Sequence, residues 1–569
     1  MAQTLQQLSI PGPGVQGLNS EISPFQQGLD FALRADNAVI DRVGRIAARE
    51  AFADFIGTHE ISLADNERFE IVRLEYVVVD KQDLTYENVS EYFVSEYGLA
   101  EYSQRRPVGI PGTTIFGIAG IGRVGQMDYD RYIGITIDEG VIKEVPSVTP
   151  THGVTLAQLV PFKGVIYSFS KGDPVMVYRN GSASKLSDDA DFIPITDSDG
   201  TTIYNEIDGD IACAAYGRLW VSGIDGDYDT VHWCSLLRPT HWYDASTDGT
   251  NDAGFINVRE YWPNGNDKIQ GIAAHNGFLI IFGNHSILIY SGAQGNPAGD
   301  NGLRLQDAIR DVGLANQDAM CNVGSDLLFV DSLGVRSLGR VVQEKSTPIA
   351  EPSLNVATLI RQDIANNRDT VRLSHLSSKT IAICLFPKLR EAYCFQLGQP
   401  GATGGLRTTR WTGCDFYTGV TLQTDHRETE LLGGRDSRGV LAYSGYTQPE
   451  KYTLSYESSV LLSGDALMQT LVPKSISFSY HRDLVGSNPP NPPQNLFCRW
   501  GFSTNLMPYL GKIKTQNTRV GSVSQFRTGK CNVKGSGDMM RVGFDFDIDG
   551  KPFAMQQISI NTLSGRILV

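Results

Sequence analysis

The chain has 569 residues, too many for one hydrophobic core, and two to four domains are expected. Apolar residues make up 41%, enough for a packed interior, and 59 Gly and 25 Pro spread along the chain mark many turns, so mainly β structure is expected. A formal charge of −14 excludes a protein that grips nucleic acid through clustered cations, and no apolar run reaches the ~20 residues needed to cross a bilayer.

The first residues, MAQTLQQLSIPGPG, have no basic start and no apolar h-region, so no secretory signal is expected. PGPGVQGLN then reads as an extended, turn-rich lead-in. Leu29 to Phe55 carries Leu33, Ile40, Val43 and Ala47 near helical spacing and predicts a helix, against which Gly44 counts. Phe69–Val79 predicts a strand. Leu84–Gln104 is acidic and aromatic and predicts a helix, and a Gly-rich apolar run follows over Val108–Gly125. Residues 81–126 therefore read as an insertion.

A repeated element begins at Tyr132. Tyr132–Ile137 and Val141–Val145 form a strand pair closed by Asp138-Glu139-Gly140. The clearest copy is Gly271–Gly292, in which Phe278–Phe282 and Ser286–Tyr290 flank a turn at Gly283–His285. Gly164–Arg179, Gly217–Leu236, Ser325–Gly339, Lys379–Leu397 and Thr429–Ser444 have the same form and recur about every fifty residues. One hairpin cannot bury its apolar faces alone; hairpins packed radially can. A β-propeller of five to seven blades is predicted. Beyond Glu450, Ser475–Tyr480, Phe497–Phe502, Met540–Ile548 and Gln557–Ile560 predict a separate antiparallel β domain, interrupted by the Pro-rich Asn488–Asn495.

The expected fold is mainly β: a β-propeller with an additional antiparallel β domain and a small, partly helical insertion. The expected domains are an N-terminal segment 1–80 joining the platform and propeller, an insertion 81–130, a propeller 131–449 and a C-terminal antiparallel β platform 450–569.

Chemistry-bearing motifs are few. Gly120–Gly125 (GIGRVG) matches GxGxxG, but Gln126–Arg131 is too short for the crossover helix of a dinucleotide site, so a turn is expected. There is no GxSxG, HExxH or P-loop. His232 and His241, beside Trp233 and Trp242, read as packing side chains before metal ligands. Asp197–Gly200 and Asp248–Asp252 lack EF-hand spacing and, like Asp208–Asp210 and Asp225–Asp229, read as turns. The arginines are too evenly spread to nominate a sialidase-like triad, and no Asp box occurs. The eight cysteines read as free thiols before a disulfide framework, with Cys384 and Cys394, which flank the turn near Pro387–Arg390, the one pair that could face each other across a hairpin. No catalytic, cofactor or metal residue is nominated.

Several ordered segments resemble the tail nozzle proteins of short-tailed bacteriophages, the tail tubular protein B or phage stabilisation protein family. Arg238-Pro-Thr-His-Trp242, Phe255–Val258 and Lys268–Gly292 are similar to that family's PTxW segment and the strand pair after it. Asp311–Leu338 is similar to the next blade, GLNSEISP, Asp36-Asn37, Gly44 and Arg49 to its opening, and Lys551–Ile560 to its closing strands. The resemblance covers most of 1–60 and 200–560; residues 81–126 depart from the pattern. It implies a structural protein of the virion tail, made in the bacterial host cytoplasm. Six copies would form a nozzle below an adaptor (head-to-tail connector) ring, carrying tail fibres or spikes. Double-stranded DNA would be retained, then conducted during ejection, without specific binding, cofactor or catalysis. Six copies of a −14 chain carry −84, which suits walls past which phosphate slides. Asn488–Asn495 and 81–126 are candidates for a gate or for contacts between copies. The fold alone also admits a glycan-active propeller enzyme, sialidase- or depolymerase-like, or a receptor-binding propeller.

Overall fold

The structure is a computed structural model that describes residues 5–41, 44–78, 113–126, 128–138, 140–145, 157–179, 181–196, 201–204, 206–242, 252–299, 302–344, 351–424, 427–443, 451–462, 470–481, 496–502, 509–512, 526–549 and 553–564. Two strand assemblies account for nearly all of these residues: a ring of small sheets and a two-sheet platform.

Among the described residues, seven sheets follow one another in a closed circle, first strand against first strand except between the fourth and fifth, where Ile269–His275 meets the turn Gln317–Ala319, so they are the blades of a propeller. Blade 1 is Glu67–Val78, Thr113–Arg123, Arg131–Asp138 and Val141–Glu144; blade 2 is Gln158–Phe162, Val165–Phe169, Met176–Arg179 and Ser182–Lys185. Blade 3 runs from Ile211–Ala215 to Gly254–Asn257, and blade 4 from Ile269–His275 to Arg304–Arg310. Blade 5 has three strands, Met320–Asn322, Leu327–Val330 and Val335–Ser337. Helix α1 (Leu338–Glu344) follows its third strand and packs on the last two, and helix α2 (Ala357–Asn367) comes after. Blade 6 spans Arg372–Leu376 to Leu406–Thr412. Blade 7 takes Phe416–Thr424, Arg427–Gly434 and Val440–Tyr443 from late in the chain, and its outer strand, Phe52–Ile56, from near the start. That exchange closes the ring with ladder hydrogen bonds between distant parts of the chain.

The blade pattern explains the apolar runs. A middle strand is covered on both faces by neighbouring blades, so it reads as a continuous apolar stretch instead of an alternating one. Val165–Phe169 and Arg218–Ser222 are buried at every position. Separate cores fill the gaps: Val72, Phe116 and Ile118 meet Ile166 and Tyr178 between blades 1 and 2, and Trp220 and Trp233 meet Leu279 and Ile281 between blades 3 and 4.

The platform is a sandwich built from both ends of the chain. One sheet runs Ala38–Ile40, Ile46–Ala48, Ala554–Ser564, Leu471–His481, Phe526–Asn532, with Leu5–Pro11 also paired to Ala554–Ser564. The other contains Phe31–Asp36, Lys451–Ser458, Met539–Asp549, Leu496–Phe502 and Tyr509–Lys512. The two-residue strand Gly17–Leu18 runs parallel to both Phe31–Asp36 and Leu406–Thr412, and so joins this second sheet to blade 6. Gly17 is required there: its φ is +82°, and a Cβ would lie 2.4 Å from the Thr408 carbonyl oxygen. Phe478, Phe544, Phe546 and Phe553 are among the rings that fill the space between the sheets.

Several sequence expectations are corrected. Leu29 to Phe55 is four short strands and no helix, because Asn37 and Gly44 take left-handed conformations that break any helical run. The stretch placed in an insertion at 81–130 contains blade 1's second strand, Thr113–Arg123, so the blades begin at Glu67 and not at 131. The C-terminal domain is not separate: it shares its sheets with strands before residue 50, and one of those sheets continues into blade 6. The helix expected over Leu84–Gln104, the loop Asn488–Asn495 and the turn Asp197–Gly200 lie outside the described residues.

Candidate functional site at the propeller axis

In a propeller, the first strands line the axis, where ligand sites commonly gather. Here all seven blades send a side chain or a backbone group inward. Arg73 of blade 1 holds Asp318, in the turn leading into blade 5, at 2.5 Å, and Arg372 of blade 6 lies 3.7 Å from the same carboxylate. Gln158 of blade 2 donates to Asp318 at 3.2 Å. Gln317 donates to the carbonyls of Ala212 in blade 3 (3.3 Å) and Ile272 in blade 4 (3.1 Å), and accepts from the Ile272 N–H (2.9 Å). Arg372 also donates to the Val72 carbonyl at 2.7 Å, and its guanidinium lies over the ring of Tyr417 of blade 7.

A second cluster adjoins the first. Arg435 stacks on Tyr417, 4.8 Å from the ring centre. The Glu70 carboxylate, fully buried, pairs with Arg68 and Arg435 and accepts from the Tyr129 hydroxyl. From Arg68 a chain of ion pairs runs outward through Asp436, Arg390, Asp415, Arg438 and Asp54. Four arginines, at 68, 73, 372 and 435, are thus brought together, each under a tenth exposed. Sequence reading missed this convergence, because strands from two blades and a loop of a third supply it and no local motif marks it.

The electrostatics follow from burial. Desolvation pushes Asp318 upward, but Arg73 and Arg372 outweigh it and hold the carboxyl below its ordinary value. Arg372 is lowered to about 10 by burial and by the nearby charge of Arg73. Further along the same strand, burial raises Glu75 to about 7, partly offset by a backbone hydrogen bond from Tyr76 and the charge of Arg73. Glu75 edges a cavity of about 520 Å³ where the first strands of blades 7, 1 and 2 end, walled also by Tyr76, Phe162, Lys163, Val420 and Thr421.

The GIGRVG motif has a structural explanation. Gly120 and Gly122 lie on a strand, and only Gly125 is in the turn, at φ +87°. A Cβ at Gly120 would sit 2.6 Å from the Tyr129 ring, and one at Gly122 would sit 2.5 Å from the Asp128 carbonyl oxygen. The glycines let the following loop fold flat so that Tyr129 reaches Glu70. The other candidates are dispersed. His232 lies 3.7 Å from Asp227 with its ring near Phe255, while His241 makes a backbone bridge to Ile193. Trp242 is fully buried between blades 2 and 3. Asp252 pairs with Arg218 and accepts from Ser235, and burial keeps Asp208 and Asp210 above ordinary carboxylate values. Asp225 and Asp227 engage Lys171 and Thr230. Cys384 pairs with Tyr393, and Cys394 with Ile383, so adjacent register positions send the two thiols to opposite faces and they cannot bridge. Among the described residues no group of His, Cys, Asp or Glu gathers as a metal site, and no helix is long and apolar enough to cross a membrane.

One exposed patch stands out on blades 2 to 4. Leu236 and Leu237 are about half exposed, and Leu237 is held at φ +59°, a conformation a leucine rarely adopts. The Leu237 N–H donates to the Gly217 carbonyl (2.8 Å), its own carbonyl accepts from Lys163 (3.0 Å), and the Leu236 N–H donates to Asp252 (3.0 Å). Tyr216 and the partly exposed Phe278 adjoin, linked by a 3.0 Å hydrogen bond.

The closed ring and the sandwich define the class: a seven-bladed β-propeller joined to a β-sandwich platform. No family model matches the chain, and no curated protein matches it. Solved structures similar to it are propellers of low likeness. Kluyveromyces lactis Hsv2 is 11% identical with a TM-score of 0.29, over 53% of this chain and 95% of that one. The Neurospora crassa Pan2 WD40 domain is 8% identical with a TM-score of 0.31, over 58% and 84%. An auxiliary nutrient binding protein from Bacteroides thetaiotaomicron is 9% identical with a TM-score of 0.32, over 72% and 83%. At these scores the superpositions carry no argument about function.

Proposed function

We propose that this chain is the structural subunit of a hexameric nozzle at the lower end of a short phage tail. It sits below an adaptor ring, carries fibres or spikes, and retains and then conducts DNA without catalysis. The observation that carries the reading is the ordered resemblance of Gly17–Pro24, Arg238–Trp242, Lys268–Gly292 and Asp311–Leu338 to segments of the nozzle family. These segments fall at joints of the fold. Gly17–Leu18 ties platform to propeller, Trp242 anchors the loop that displays Leu236 and Leu237, and Asp311–Leu338 supplies the axial Asp318 and blade 5.

The axis supports the same reading by exclusion. Side chains from opposite blades meet across it, so a duplex does not thread one propeller, and a conduit has to run between copies. The basic and apolar patch of Lys163, Leu236, Leu237 and Arg238 suits contact with the acidic surface of another −14 chain. Negative-stain imaging and native mass spectrometry, of the chain alone and with an adaptor ring, test this. Six-fold rings with an open centre are expected; a monomer under both conditions overturns it.

A glycan-active propeller is the second reading, and the arginine cluster is the observation in its favour. Against it, every one of those arginines is ion-paired to a protein carboxylate, and two stack on Tyr417. Release of sugar from a panel of host polysaccharides would establish it.

A further inference from the structure

The platform's two sheets each carry one cysteine, and the two meet. Cys498 lies on Leu496–Phe502, opposite Phe544 of the neighbouring strand. Cys531 lies on Phe526–Asn532, opposite Ile476. Two positions along from Ile476, the Phe478 ring packs against the Phe544 ring at 5.6 Å, across the gap between sheets. The registers therefore bring both cysteines to one point of the inter-sheet core, where they are 0% and 5% exposed. The two side chains lie within hydrogen-bond reach of each other, and each thiol also donates to the carbonyl of the next residue, Cys498 to Arg499 (3.9 Å) and Cys531 to Asn532 (3.6 Å). Among the described residues, Cys531 also lies on the last strand of its sheet.

We propose that Cys498 and Cys531 form an inter-sheet disulfide when the chain meets a low-molecular-weight disulfide such as oxidised glutathione. The Cys531 thiolate attacks one sulfur of the oxidant, whose S–S bond breaks and releases one glutathione thiolate. Cys498 loses its proton to that thiolate and attacks the Cys531 sulfur of the mixed disulfide, which releases the second glutathione. Two protein thiols are oxidised to one disulfide, and one glutathione disulfide is reduced to two thiols. The order of attack follows from the site. Hydrogen-bond contact with the Cys498 side chain holds Cys531 below its ordinary thiol value, whereas burial holds Cys498 above its own, so Cys531 supplies the thiolate. The bond would close a loop of 34 residues and restrain the unfolded platform. An inter-sheet bridge of this kind is a known device of sandwich folds.

The test uses the full chain, equilibrated either with dithiothreitol or with oxidised glutathione, then mapped by mass spectrometry without reduction. A Cys498–Cys531 linked peptide is expected only in the oxidised sample, with an unfolding transition raised by on the order of 10 °C. Cys531→Ala is expected to lose both. The proposal is overturned if glutathione stays on Cys531 while Cys498 remains alkylatable after unfolding, if both thiols remain free, or if another pairing forms. The wild-type map decides even if the variant fails to fold.

Discussion

Asp318 shows how much a single buried group can hold in place at the residue scale. Its carboxylate bridges Arg73 and Arg372, and with Gln158 it ties blades 1, 2, 5 and 6 together. Asp318→Ala leaves two guanidiniums facing each other in a poorly solvated centre. A loss of about 3–5 kcal/mol is expected in urea unfolding. Asp318→Asn, which keeps an acceptor, should lose less. Glu75 makes the opposite prediction. Its carboxyl rises from an ordinary value of 4.5 to about 7 in the folded chain. Between those values the folded state binds more protons than the unfolded one, so stability falls as pH rises from about 4.5 to 7 and the loss is complete above 7. Glu75→Gln should remove this slope and leave the chain roughly 2 kcal/mol more stable at pH 8 than wild type. Parallel denaturation curves at pH 5 and pH 8 would show it. Neither residue was legible in the sequence. Asp318 sits in a short turn, and its partners lie on strands hundreds of residues away or across the ring.

Hairpins were legible because a strand buried on both faces cannot hide its composition. Each of the seven sequence hairpins falls in a different blade; five of them are the middle strand pair, and in three-stranded blade 5 the hairpin is the second and third strands. Blade 1 is the exception: the readable pair, Tyr132–Ile137 and Val141–Val145, is its outer one. Its second strand carries Gly117, Gly120 and Gly122, which make room for Ile135, Tyr129 and Asp128 and dilute the β signal. The blade 5 helices were also missed: α1 is only seven residues long, and α2 opens on Val356 with no side-chain cap that would mark it. The closing strand, Phe52–Ile56, tests how much ring closure contributes. Phe52 is 2% exposed, stacks on Phe416, Tyr443 and Trp411, and lies under Arg49. Phe52→Ala is expected to cost about 3–5 kcal/mol. Limited proteolysis should then cut first between this strand and blade 1, while the platform stays resistant.

For the whole molecule, the ring of six proposed above would make the Leu236–Leu237 patch a contact between copies. Leu236→Asp with Leu237→Asp adds charge to an exposed surface, so the monomer's unfolding temperature should change little. Its assembly, followed by sedimentation velocity, should shift to smaller species by at least tenfold in concentration. Unchanged assembly would remove the patch from the interface and leave the fold untouched.

The platform's interleaving of both chain ends has a consequence for synthesis. The strands Leu5–Pro11 and Ile46–Ala48 pair with Ala554–Ser564, which leaves the ribosome about 500 residues later. At translation speeds of about 5–20 residues per second, these early strands wait on the order of 25–100 s with open edges. Throughout that interval a nascent chain can capture the same strands of a neighbour on the same messenger. Ala554–Ser564 is therefore the strand that decides whether each chain closes on itself.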